Sequence, residues 1–233
     1  MFNGVIEYSR QSQFLFELGL QMEGFIHFYQ FVDAKIASER LEVESEVVAE
    51  EGINGEFMGY SGPINELEKL SFAPRILYHS IFISLYSFLE LKLTTLIDEF
   101  ASHHQDTKIR HSDLKGNDDI QRIQKYLEKA LSLDLSDMKI IFEDMQGYRK
   151  IRNAFVHNGG CVSKNKDGND FIQMIQKNLS LHLNLQKIDS GYLSIRNSTF
   201  ILEFCRFIPL LLGQIFNKIY PENSPITKVP ENE

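Results

Sequence analysis

Apolar residues recur every three or four positions along most of this chain, which is the spacing of helices that bury one side. Between residues 9 and 49 they include Phe14, Leu18, Phe25 and Val32, and this spacing predicts one long helix or two shorter ones. The end of this region leaves a choice open, because residues 41–47 alternate like a strand although their glutamates favour a helix. Residues 51–63 contain four glycines and predict a loop.

The middle of the chain predicts three further helices. A central helix is expected to begin near residues 71–74, where Ser71 can cap it and Pro74 fits its first turn. Residues 76–100 are apolar nearly all round, as in a helix buried on every side. A polar connector over residues 105–117 leads to two amphipathic helices at 117–131 and 137–156, and Asn158-Gly159-Gly160 provides a glycine end for the second.

The last third of the chain interrupts the helical spacing once. Residues 179–186 alternate strictly between apolar and polar, and a turn at 189–191 leads to residues 192–195, so a small β-hairpin is expected. A last helix over 198–219, bent at Pro209, and a disordered tail over 221–233 complete the chain. The expected fold class is therefore mainly α, a single helical domain over residues 1–220 with one hairpin before its last helix.

Composition and charge restrict the function. The 233-residue chain has a formal net charge of -8, which argues against a broad cationic face for long nucleic acids but not against a small basic pocket. Cys161 and Cys205 are too few for a disulfide framework, and the first residues do not resemble a signal peptide, so we expect a cytoplasmic protein. The apolar stretches 76–89 and 207–216 are shorter than the roughly 20 residues that span a bilayer, so no membrane partner is expected.

The helix over residues 138–157 ends in the one set of residues that suggests chemistry. Its apolar residues form a single stripe, and Arg152 falls within that stripe, where a guanidinium needs a carboxylate, a phosphate or water. Asn153 and His157 are four residues apart and lie one above the other on a neighbouring strip. An imidazole, a fixed guanidinium and an amide can perform acid–base chemistry on a phosphodiester without a metal. Alternatively, Arg152 is structural and pairs with Glu90, and His157 only caps the helix.

Residues 148–160, Tyr-Arg-Lys-Ile-Arg-Asn-Ala-Phe-Val-His-Asn-Gly-Gly, resemble the signature of HEPN domains, in which an Arg, a polar residue, three further residues and a His close a helix. Residues 84–90 look like the helix that packs beside the signature in that family. The resemblance covers residues 74–160, and the last helix would complete a HEPN-like helical bundle over about 74–220. The N-terminal helical extension, residues 5–70, and the predicted hairpin lie outside it.

The resemblance implies a metal-independent endoribonuclease that needs no cofactor and acts as a homodimer. Arg152 would stabilise the scissile phosphate, Asn153 would position neighbouring groups, and His157 would act on the ribose 2′-hydroxyl or the leaving oxygen, which gives a 2′,3′-cyclic phosphate. The residues expected to bind the RNA substrate around them are Arg149, Lys150 and Asn158. A toxin or antiviral-defence setting would follow, with an antitoxin protein as a further partner.

Four further points bear on this interpretation. Some members of the family have lost catalysis, so a non-catalytic helical module for protein interaction or RNA binding is the alternative function. The histidines at 103, 104 and 111 match no closed zinc pattern, and we expect no metal site. His27 and His79 lie within apolar helices and are expected to be hydrogen-bonded core residues. The positive charges near residues 149–166 fit either phosphate binding or a solvated surface.

Overall fold

A computed structural model describes residues 10–54, 62–103, 109–116, 119–160, 193–195 and 198–221. Five α-helices account for most of these residues: α1 (Arg10–Asn54), α2 (Gly62–His103), α3 (Asp119–Lys125), α4 (Lys139–Asn158) and α5 (Ser198–Ile219). A π-helical turn, Tyr126–Ala130, continues α3, and short 3-10 turns lie at His111–Asp113 and Ser136–Met138. The mainly α fold class is confirmed, whereas residues 179–186 of the predicted hairpin and the tail beyond residue 221 lie outside the described residues.

α1 is one helix of 45 residues rather than two. It continues through residues 41–47, where Arg40 Nε lies 2.8 Å from Glu44 Oε1 one turn away. The strand-like alternation there is overridden by glutamates that favour a helix and pair along it. The predicted loop over residues 51–63 is therefore too long at both ends, because α1 reaches Asn54 and α2 begins at Gly62.

α2 begins at Gly62, about two and a half to three turns before the predicted start at residues 71–74. Ser71 does not cap the helix, since its hydroxyl donates to the carbonyl of Glu68 at 2.6 Å within the helix. Pro74 lies inside α2, where it removes one backbone hydrogen bond. Residues 65–77 contain no buried side chain, so water can satisfy the carbonyl that this proline leaves without a helical partner.

The remaining helices differ less from expectation. The helix predicted over residues 117–131 is α-helical only to Lys125, and a wider turn follows in which the Leu131 amide donates to the Tyr126 carbonyl at 3.1 Å. The last helix spans the predicted residues 198–219 and includes Pro209. The central position of α2 is confirmed, because it contacts α1, α3, α4 and α5.

Aromatic side chains form the centre of the core where α2, α4 and α5 meet. The Phe82 ring lies 5.0 Å from both Phe200 and Phe204, and the Tyr148 ring lies 4.5 Å from Phe204. Leu18 and Met22 of α1 belong to the same cluster of buried residues, as do members of α3. The N-terminal helix therefore packs into the core that α2 to α5 form, instead of standing apart from it.

Two helices are apolar and long enough, by length and composition alone, to cross a membrane: Asn65–Ser102 within α2, and Ser198–Ile219. The charge-free stretches 76–89 and 207–216 are shorter than these helices, because each helix extends beyond its charge-free segment. In the structure, 44% of the 18-residue apolar segment of the first helix and 56% of that of the second are buried inside the protein. Core helices of soluble proteins have the same properties, and the absence of a membrane partner stays a prediction.

Candidate functional site

α4 folds as a helix with one buried side and a glycine end. The buried residues Met145, Tyr148, Ile151 and Phe155 recur at intervals of three and four, which confirms the apolar stripe. The helix ends where Gly159 adopts the left-handed conformation, with φ of 56°. This predicted glycine end is confirmed, and it leaves the last turn of α4 at the surface.

Arg152 is half-buried between α4 and α2. Its guanidinium carbon lies 5.8 Å from the centre of the Tyr86 ring, and its Nη1 donates to Asn153 Oδ1 at 2.9 Å. Its Nε is buried and has no hydrogen-bond partner within the part of the chain that the structure describes. A cation over an aromatic ring gains about 0.5–2 kcal/mol, so Tyr86 and Asn153 together fix the direction of this side chain.

Glu90, the carboxylate considered as a partner for Arg152, lies one turn after Tyr86 on α2. Burial raises the pKa of Glu90, the positive charge of Arg152 lowers it and the negative charge of Asp119 raises it. Arg152 is thus close enough to act on Glu90, yet no direct ion pair joins them among the described residues. The guanidinium keeps donors that a carboxylate does not occupy.

The other predicted site residues divide into two groups. Arg149 is half-buried and lies close enough to Tyr86 for its charge to affect that phenol. Burial raises the pKa of Tyr86, and the positive charge of Arg149 has a smaller, lowering effect. Lys150, His157 and Asn158 are exposed. The structure brings Arg149, Arg152 and Asn153 together beside α2, while no hydrogen bond or ion pair among the described residues connects Arg152 to His157 of the same chain.

Residues of α2 and α3 that the sequence did not indicate extend this polar site. Tyr86 is fully buried, and its hydroxyl has no hydrogen-bond partner in the described residues. Asp119 accepts a bond from Arg122 Nη2 and adds the negative charge that Glu90 senses. The spacing of Tyr86 and Glu90, four residues apart in an otherwise apolar helix, was the available signal, because such a pair lies on one side of the helix.

Two histidines outside α4, His79 and His111, have partners within the described residues. His79 accepts a hydrogen bond from the Ile195 amide at 3.2 Å, as expected of a core histidine. His27 is exposed, so its predicted burial is wrong. His111 Nδ1 lies 3.4 Å from Asp98 Oδ1, and no group of three metal-ligating side chains occurs in the described parts of the chain.

An open pocket of about 530 Å³ lies between the π-helical turn after α3 and the first turns of α4. Its lining includes Glu128, Asp134 and Glu143, against one cation, Lys139. None of the predicted site residues lines it. Its predominantly acidic lining makes it unsuited to a phosphate, so the candidate site is the polar cluster at the other end of α4.

Comparison of the chain with family models, with curated proteins and with solved structures found no match.

Proposed function

We propose that this chain is a metal-independent endoribonuclease of the HEPN type. One observation carries the proposal: α4 holds a half-buried guanidinium that forms no direct ion pair with a carboxylate of the described residues, and just over one turn later it presents an exposed histidine. A guanidinium at a partly desolvated position interacts more strongly with a phosphate than one in water does. A histidine at an exposed helix end can reach a substrate that approaches from solvent.

The proposed reaction is attack of a ribose 2′-oxygen on the adjacent phosphorus. A P–O bond to the 2′-oxygen forms, the bond to the 5′-oxygen breaks, and the products carry a 2′,3′-cyclic phosphate and a 5′-hydroxyl. Arg152 stabilises the charge on the non-bridging oxygens, and Asn153 holds Arg152 in place. His157 transfers protons, and Arg149, Lys150 and Asn158 contact the neighbouring phosphates and sugars of the RNA.

Two chains are needed in this proposal. One proton leaves the 2′-hydroxyl while another reaches the 5′-oxygen, and one imidazole cannot be base and acid in the same step. A homodimer supplies two copies of His157, one for each proton transfer. The biological setting we propose is that of a toxin or antiviral-defence effector, in which an antitoxin protein would restrain the activity.

The test is cleavage of single-stranded RNA in EDTA by the wild type, His157→Ala and Val156→Ala. Val156 is the matched control, because it is exposed in the same turn and has no role in the site. We expect wild type and Val156→Ala to produce 2′,3′-cyclic ends and His157→Ala to lose at least about 100-fold in rate. Equal rates for wild type and His157→Ala would remove the catalytic assignment.

The second candidate is a non-catalytic helical module in which Arg152 is structural, and the contact of Arg152 with the Tyr86 ring and the effect of its charge on Glu90 favour it. In that case Arg152→Ala lowers the free energy of unfolding by more than about 1 kcal/mol, and no variant changes an RNA-cleaving activity. The ribonuclease proposal requires Arg152→Ala to abolish cleavage in protein that is still folded at the assay temperature. Urea unfolding and RNA cleavage measured on the same preparations distinguish the two.

A further inference from the structure

α1 has an exposed apolar stripe on the side that faces away from α2 and α5. The exposed fractions of its large side chains are 67% for Phe16, 52% for Leu20, 73% for Phe31 and 67% for Leu41. Their spacing is helical, and the exposed residues that continue the same line between them are Gly24, His27, Ala34 and Ser38. We call this set of eight residues the α1 stripe.

The opposite side of α1 already has its partners. Leu18, Met22 and Tyr29 are buried against the core, and they lie roughly half a turn round the helix from the α1 stripe. A helix that is apolar on two opposite sides is normally covered on both. The α1 stripe is therefore the side of this long helix that no element among the described residues covers.

The size of the α1 stripe matches that of a small protein interface. A fully buried aromatic side chain removes about 150–250 Å² from water, so Phe16, Leu20, Phe31 and Leu41 together offer roughly 400–500 Å² at their exposed fractions. Two such surfaces bury roughly 1,000 Å² once flanking side chains are included, which is near the lower limit for specific association. Exposed apolar patches of several hundred Å² on a monomer commonly mark a binding surface.

The charges beside the α1 stripe favour a second copy of this chain in antiparallel orientation. Glu17 and Lys35 lie on the same flank, 100° from Phe16 by helical geometry at 100° per residue. In an antiparallel pair with its two-fold axis near residues 25 and 26, the flank of one helix that carries Glu17 and Lys35 faces the same flank of the other helix. Glu17 of one copy then lies within about one residue rise of Lys35 of the other. A parallel pair would instead bring unlike flanks together, which leaves Glu17 and Lys35 on opposite sides of the interface and without each other as partners.

The same register also fits the shapes of the side chains. It sets Leu20 opposite Phe31 of the second copy and Gly24 opposite His27 of the second copy. No atom lies within 4 Å of the Cβ position at Gly24, so an imidazole ring has room there. Lys35 is free to turn towards the second copy, because its pairing with Glu39 at 3.6 Å is solvent-exposed and contributes little.

We propose that two copies of this chain associate through their α1 stripes as an antiparallel helix pair. The occupant is a second copy and not a lipid surface, because acidic residues such as Glu17, Glu23 and Glu42 accompany the α1 stripe and the chain has a net charge of -8. An anionic bilayer attracts basic helices and repels acidic ones. This contact through α1 is distinct from the one that would bring together two copies of His157 at the end of α4. An RNA-cleaving protein whose assembly is unchanged in Phe31→Glu would therefore overturn the pairing and leave the proposed nuclease standing.

Sedimentation of the full chain from about 0.5 to 50 µM tests the proposal, with Phe31→Glu as the disrupting variant. Ile140→Glu is the matched control, because Ile140 on α4 is 72% exposed and lies outside the α1 stripe. We expect wild type and Ile140→Glu to be dimers of equal Kd, and Phe31→Glu to weaken the dimer at least 100-fold, since the residue occurs twice in the interface. Circular dichroism should show the same helix content for all three.

Charge exchange tests the orientation. Glu17→Lys and Lys35→Glu should each weaken the dimer several-fold, and the double variant should restore it, as only an antiparallel contact between these residues predicts. A monomeric wild type at 50 µM, an unchanged dimer in Phe31→Glu, or binding of the monomer to phosphatidylcholine–phosphatidylserine vesicles through Phe31 would each overturn the proposal. A double variant no better than the single ones would overturn the antiparallel orientation.

Discussion

His79 is an imidazole that the fold keeps neutral. Its Nε2 accepts the Ile195 amide, and its ring stacks on Phe155 with 4.0 Å between ring centres. Burial, together with the smaller effect of the nearby charge of Arg75, lowers the pKa of His79 to about 4. Protonation would abolish the acceptor, so this side chain links the connection before α5 to the middle of the bundle only in its neutral form.

The stability of the protein should therefore fall in mild acid. The pKa of His79 is lower in the folded than in the unfolded chain, so its contribution is complete above about pH 6.5 and is lost as the pH falls towards 4. We expect a loss of about 1 kcal/mol between pH 7 and pH 5, a figure reduced for its partial exposure. His79→Gln keeps an acceptor that does not titrate. Urea unfolding at both pH values should show a smaller loss for this variant, and an equal loss would contradict the assignment.

At the scale of single residues, the sequence predicted on which side of α4 each residue lies better than it predicted which residues of other helices it contacts. The helical period placed Arg152 within an apolar stripe, and the structure has it half-buried there. The same period cannot tell which residue of another helix lies opposite, because that depends on the relative rotation of two helices. Tyr86 lay within the segment 84–90 that was expected beside α4, but it was not singled out as the contact of Arg152. The alternative that paired Arg152 with Glu90 gives a longer-range charge effect and no direct ion pair.

At the scale of elements, the end of α4 depends on two glycines with different demands. Both have positive φ, 56° at Gly159 and 84° at Gly160. A Cβ at Gly159 would meet nothing within 4 Å, whereas one at Gly160 would lie 3.0 Å from the Leu193 carbonyl oxygen. That oxygen belongs to the residue whose amide donates to the Gly160 carbonyl at 2.7 Å, so a clash there disturbs the contact between two segments.

Alanine substitutions should separate these demands. Gly159→Ala carries only the cost of a left-handed residue, about 1 kcal/mol, and Gly160→Ala adds the steric conflict, for a total of about 2–3 kcal/mol. Denaturant unfolding of the two variants gives the comparison directly. Equal losses would mean that the carbonyl of Leu193 moves away without cost.

The ends of the helices show where local sequence signals fail. Ser71 and Pro74 together form a good helix start, yet α2 continues across both. A proline is acceptable in a first turn and tolerable at an exposed position further in, and local sequence does not distinguish these cases. The glycine end of α4 was predicted correctly because positive φ is a requirement that few residues other than glycine meet.

At the scale of the whole molecule, stability depends on the aromatic cluster around α2. Phe82 is fully buried and contacts rings from α4 and α5, whereas Phe72 on the same helix is 52% exposed. Phe82→Ala should lower the free energy of unfolding by about 3–5 kcal/mol, and Phe72→Ala, the matched control, by less than about 1 kcal/mol. Thermal unfolding followed by circular dichroism compares them. A small loss at Phe82 would show that the cluster does not hold the helices together.

The position of α1 could not be predicted from the HEPN resemblance, which begins at residue 74. Its apolar spacing indicated a helix but not its partners, because α1 is apolar on two sides and the sequence does not mark which side faces the core. In the structure Phe14 stacks on Phe216 of α5 at 5.3 Å, and Phe25 meets Phe88 of α2 at 5.6 Å. These contacts assign one side to the core and leave the α1 stripe outside.

Pro74 weakens α2 at one point, although the helix continues through it. The helical turn around Pro74 has one backbone hydrogen bond fewer than a regular turn. The described side chains of α2 before Pro74 are not buried in the core, whereas Phe82 and other side chains after it are. α2 is therefore expected to bend most easily about a third of the way along its length. A force applied to the part of α2 before Pro74 should therefore deform the helix near this residue before it disturbs the part that packs in the core.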